Sequence, residues 1–147
     1  GLGDVYKRQA QDHPASTQVH MALPLVLRLI REIPQIACIK QEATPTPPKT
    51  RALLAQMDPG RATILTGLGA LYGIYDLASG ADGFMTGFAF PEVIQALVQA
   101  HNANQQQRVR EIYQHFVCPG RSNKRQSYWR CRTRWNRHRR RTSETGD

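Results

Sequence analysis

A lysine amine at the end of an apolar strand can act as a nucleophile, and Lys40 directly follows the run Ile36-Ala37-Cys38-Ile39. A lysine side chain in water has a pKa of about 10.4, which leaves about one amine in a few thousand neutral at pH 7. Burial can lower such a value by up to roughly 3 to 5 units and so produce a usable nucleophile. The plain alternative is a snorkelling amine that keeps its charge in solvent. Glu42 stands two residues further on. If the strand continues, Glu42 projects to the same side as Lys40, roughly 6.5 Å along the backbone. A carboxylate there can relay protons or pair with a cationic nitrogen; equally, it can form a structural ion pair that favours the charged amine.

Other polar or glycine-bearing strand ends follow in the sequence. Thr66-Gly67-Leu68-Gly69 closes one apolar run, and Met85-Thr86-Gly87 closes another. Glycine at a strand end permits close backbone approach, or simply makes a turn. Gly67 and Gly69 lack the third glycine of a dinucleotide-binding fingerprint. Met85 taken alone reads as a core residue.

The elements that position these residues alternate. Leu23, Val26, Leu27, Ile30 and Ile33 fall on one helical face, which Pro34 ends. After the Lys40 strand, Thr46 is placed to cap a helix that begins at Pro47 or Pro48 and carries Leu53, Leu54 and Met57 to a stop at Pro59-Gly60. A second strand spans Ala62 to Thr66, and Leu71, Ile74, Tyr75 and Ala78 make the next helical face, closed by Gly80. Gly83 to Thr86 is a third short strand. Pro91 opens a helix with Val93, Ile94, Leu97 and Val98, and Val109, Ile112, Tyr113 and Phe116 line a last one. Short strands alternating with helices imply an α/β fold with a parallel sheet, because parallel neighbours require crossover helices. A doubly wound sheet and a piece of a (β/α)₈ barrel both fit, and both place their chemistry at the carboxyl ends of the strands.

The net charge of +9 is unevenly distributed. Residues 118–147 hold ten Lys and Arg against two acids, whereas residues 10–117 hold eight of each and are neutral. The charge therefore describes a tail rather than the body. No stretch has the 18 or more apolar residues of a membrane span, and no signal peptide opens the chain, so a cytoplasmic location is expected. Cys38, Cys118 and Cys131 form no disulfide or zinc pattern, and the five histidines show no ligand spacing.

Ile39-Lys40-Gln41-Glu42, Thr66-Gly67-Leu68-Gly69 and Gly83-Phe84-Met85-Thr86-Gly87-Phe88-Ala89-Phe90-Pro91-Glu92 together resemble the C-terminal part of the dihydrodipicolinate synthase and N-acetylneuraminate lyase family. The resemblance covers about residues 10–117 and implies a partial (β/α)₈ TIM barrel, its last three β/α units with a C-terminal helix. It implies a lyase in which Lys40 forms a Schiff base with pyruvate or another 2-oxo acid, with no metal or organic cofactor. It places Gly67, with Thr66 and Gly87, near the substrate and Met85 against the pyruvate methyl or imine. The family's Tyr-Asn-x-Pro motif is replaced by Gln11-Asp12-His13-Pro14, which removes a proton-relay phenol. Gly69 and Ala70 stand where acetylneuraminate lyases carry an acidic sugar-binding pair. A complete barrel needs about 250 residues, so the chain is expected to be a fragment, inactive alone, of a parent that forms a homo-oligomer.

Residues 1–9 resemble a translated sequencing-adapter peptide and were set aside. Residues 118–147 contain nine arginines, one lysine, Tyr128, Trp129 and Trp135. Such a segment reads as a frame-shifted or disordered basic tail. The alternative functions are RNA or DNA binding through that tail and a non-catalytic barrel relative that lacks the tyrosine. Nucleic acid is not the expected partner, since the body is neutral.

Overall fold

The computed structural model describes residues 7–88 and 90–117. The chain divides after Gly87 into two compact units. The first holds four strands, β1 (Arg8–Asp12), β2 (Ile36–Gln41), β3 (Thr63–Thr66) and β4 (Gly83–Phe84), in one sheet of order β1-β2-β3-β4. All three pairings are parallel. Helices α1 (Pro14–Thr17), α2 (Leu23–Glu32), α3 (Thr46–Leu54) and α4 (Gly73–Ala78) lie in the connections. This is an open section of a (β/α)₈ barrel, with β1 and β4 as its edges among the described residues. A fourth strand joins the three expected, and β1 begins at Arg8, inside the residues set aside from the sequence.

Alternation along the strands sorts the sheet into two faces. On one, Ile39 of β2 and Ile64 of β3 pack with Val26 and Ile30 of α2, Leu53 of α3 and Ala62, and a register irregularity at the start of the β1–β2 pairing lets Ile36, three residues before Ile39, join them. Burial of these branched side chains is what fixes the strand register, since a one-residue slip would turn them to the opposite face. Arg61 ties the layers together: its guanidinium donates to the Ile36 carbonyl at 2.8 Å and to the carbonyls of Ile30 and Ile33 at the end of α2. Helix-end carbonyls otherwise lack partners. On the opposite face, register pairs Gln9 with Cys38 and Gln11 with Lys40, and Lys40 in turn with Leu65.

Two local expectations are corrected. Thr46 does not cap α3: Pro45 holds the cap position, and the Thr46 hydroxyl instead donates to Asp76 Oδ1 at 2.6 Å. The apolar stripe assigned to the helix after β3 points outward, with Leu71 58% and Tyr75 60% exposed. The buried face of α4 is Gly73, Asp76 and Leu77. Asp76 can be buried because its carboxylate has a hydroxyl partner, which hydrophobic periodicity does not register.

In the second unit, α5 (Pro91–Asn102) and α6 (Gln106–Ile112) pack on one another, and a π turn continues over Tyr113–Val117. Val93, Ile94, Leu97 and Ala100 form the buried face of α5, and Val109, Ile112 and Tyr113 are buried in and just after α6. Ala100 takes the place expected for Val98, which is only half-buried.

Candidate active site

Lys40 lies in β2 one residue before its end, and Glu42 is the first residue beyond it. The Glu42 N–H donates to the Asp12 carbonyl at 2.9 Å, which prolongs the β1–β2 ladder past the last strand residue. Extended backbone at this point keeps Glu42 on the same side as Lys40. The amine Nζ lies 3.1 Å from Glu42 Oε2, with the side chains 18% and 6% exposed.

Two further donors converge on the carboxylate. Gln11 Nε2, from β1, donates to Glu42 Oε2 at 2.5 Å. The backbone N–H of Leu68, in the turn after β3, donates to Oε1 at 3.2 Å. That turn is unusual: Leu68, Gly69 and Ala70 have φ of 55°, 67° and 58°. Left-handed backbone costs a non-glycine residue roughly 1–2 kcal/mol, and here Leu68, whose N–H binds the acid, and Ala70 both adopt it.

Gly67 explains how the carboxylate fits. A Cβ at Gly67 would overlap Glu42 Oε1 and lie 2.5 Å from Cδ and 2.8 Å from Cγ. The glycine therefore makes room for Glu42. Burial pushes the Glu42 carboxyl up, but hydrogen bonds from Gln11, Lys40 and the Leu68 N–H, together with the Lys40 charge, outweigh it and hold the group below its ordinary value. Glu42 is thus an anion fixed against the Lys40 nitrogen, an arrangement that favours the charged form of both groups.

The remaining expected site residues separate. Met85, 40% exposed, accepts a contact from Gln9 Nε2 at its Sδ, 3.1 Å away, on the Lys40 face of the sheet. The same amide nitrogen lies 3.7 Å from Cys38 Sγ; burial, with the Asp82 charge, raises that thiol's pKa against the Gln9 hydrogen bond. Gly87 is exposed, and a Cβ there would meet nothing within 4 Å. Thr66 is fully buried beside Asp76, on the face opposite Lys40. Asp76 is itself shifted: burial raises its pKa, against the hydrogen bond from the Thr46 hydroxyl.

Sequence reasoning missed Gln11 as a partner of Glu42, although it had noted glutamine at the tyrosine position. It also missed the ion pair at the end of β1, where Lys49 Nζ of α3 lies 2.5 Å from Asp12 Oδ2. A groove lined by Leu27, Ile30, Arg31, Gln56, Met57 and Asp58 lies on the outer helix layer and contains no nucleophile. Among the described residues no group of His, Cys, Asp and Glu could hold a metal ion, and no helix is long and apolar enough to cross a membrane. The basic segment 118–147 lies outside the described residues.

A lysine and a carboxylate stand at the carboxyl end of a parallel strand in an open section of a (β/α)₈ barrel, the end at which such barrels carry their sites. Solved structures narrow the class further. Dihydrodipicolinate synthase from Rhodopseudomonas palustris is 25% identical, matches with a TM-score of 0.73 and is covered over 40% of its length by 79% of this chain. The enzyme from Aquifex aeolicus is 22% identical, with a TM-score of 0.66, over 75% of this chain and 37% of its own. A monomeric dihydrodipicolinate synthase variant is 16% identical, with a TM-score of 0.64, over 74% of this chain and 37% of its own. These matches support the dihydrodipicolinate synthase family, as the residues around Lys40 led us to expect. No family model and no curated protein matches the sequence.

Proposed function

We propose that this chain is the Schiff-base-forming part of a lyase that acts on pyruvate or a related 2-oxo acid. The observation that carries the proposal is the 3.1 Å pairing of Lys40 Nζ with the buried carboxylate of Glu42. In the proposed reaction the Lys40 ammonium gives up a proton to water, and the freed amine attacks the substrate ketone while Glu42 stays ionised beside the nitrogen. Returning that proton to the carbinolamine oxygen lets water leave and the imine form. The protonated imine then draws electrons from the neighbouring carbon, which can lose a proton or break its bond to the adjacent group. With the lysine supplying the electron sink, the chemistry requires no further cofactor. Glu42 also remains close enough to pair with the iminium cation.

Structural similarity to dihydrodipicolinate synthases supports a lyase parent. The chain spans 40% of the length of the Rhodopseudomonas enzyme, and turnover is proposed for a complete barrel. Borohydride reduction of the full-length parent in the presence of pyruvate, read by peptide mass spectrometry, tests the proposal. A reduced adduct on Lys40 supports it. A folded protein with no adduct, or an adduct unchanged in Lys40→Ala, sinks it, and the first outcome favours a non-catalytic barrel relative.

A further inference from the structure

We infer that Gln11 is a positioning residue for Glu42, holding its carboxylate in the orientation that faces the Lys40 amine. The inference rests on the Schiff-base reading for its chemical consequence, but its geometry stands alone. Gln11 pairs with Lys40 across the parallel β1–β2 register, so its side chain shares the Lys40 face of the sheet. Its Nε2 reaches Glu42 Oε2 at 2.5 Å, closer than the Lys40 amine at 3.1 Å on the same oxygen. An amide nitrogen only donates, and an ionised carboxylate only accepts. Gln11 therefore stabilises the charged form of Glu42 while remaining unable to take a proton itself.

Both oxygens of the carboxylate are engaged. Gly67 faces it without a Cβ, and the Leu68 N–H binds Oε1. From β2 the charged group facing it is Lys40; from β1 it is met by the neutral Gln11 amide, and from the turn after β3 by a backbone donor. Asp12, the next residue of β1, turns to the helix side, where Lys49 of α3 neutralises it at 2.5 Å.

Carbon-13 NMR titration of the Glu42 side-chain carboxyl in the full chain tests the assignment without relying on turnover. Gln11→Met keeps the side chain's length and removes the donor; Gln11→Arg restores a donor. The expected result is an upward shift of the Glu42 midpoint in Gln11→Met and its return in Gln11→Arg, with circular dichroism unchanged in both. An unshifted Glu42 midpoint in a folded Gln11→Met overturns the inference whatever Lys40 does. A shifted midpoint in a protein that never traps pyruvate upholds the positioning of Glu42 and fails the Schiff-base reading instead.

Discussion

Substituting Gly67 by alanine should destabilise the protein through one neighbour, Glu42. The added Cβ would overlap Oε1 and come within 2.5 Å of Cδ, so the carboxylate must move. Its end is flexible in principle, but it is held by Gln11 at 2.5 Å, by Lys40 at 3.1 Å and by the Leu68 N–H at 3.2 Å. A hydrogen bond to a charged group contributes about 1.5–3 kcal/mol net. Losing the equivalent of one after water replaces the others costs about 2 kcal/mol. Gly67 has φ of −120°, so alanine incurs no left-handed penalty. With a urea slope of roughly 1–3 kcal/mol/M, the unfolding midpoint should fall by about 1 M. The decisive assay is a double-mutant cycle. In a Glu42→Ala background the clash has no target, and most of the Gly67→Ala loss should disappear. An equal loss in both backgrounds would refute the reasoning and return Gly67 to an ordinary turn residue.

Two further outcomes are expected, both measured by urea unfolding of the full chain. The pKa of Asp76 is raised on folding by burial, so its ionisation costs stability as pH rises from its unfolded value through its folded one. Asp76→Asn should therefore fare better against the native protein at pH 7 than at pH 4, and the reverse order would contradict the burial of a destabilising charge. Lys49→Met leaves the fully buried Asp12 side chain without its cation, and a loss of about 3 kcal/mol is expected from breaking a buried pair. A loss below about 1 kcal/mol would show that Asp12 is reached by water or paired elsewhere.

The sequence revealed what depends on short spacing. Alternating strands and helices follow from local periodicity, and the approach of Lys40 and Glu42 follows from a separation of two residues in extended backbone. The contacts that define the site's interior were not legible, because they join residues far apart. Gln11 meets Glu42 across 31 positions and Glu42 meets Leu68 across 26, and behind the sheet Thr46 meets Asp76 across 30. Gly67 shows why such contacts matter: its glycine was legible as a close approach, and the side chain that approaches it is Glu42. Polarity misled in one helix, where the apolar Leu71 and Tyr75 face outward and the acid Asp76 faces inward. Satisfied hydrogen bonds reverse the usual inside–outside rule there.

The central claim is that Lys40 is the imine-forming amine of a 2-oxo acid lyase. Its most direct test is borohydride trapping of the full-length parent with pyruvate, followed by peptide mapping. The account predicts a single reduced adduct on Lys40, absent in Lys40→Ala and slowed in Glu42→Gln. A folded protein that gives no adduct, or one that carries the adduct on another lysine, would contradict it.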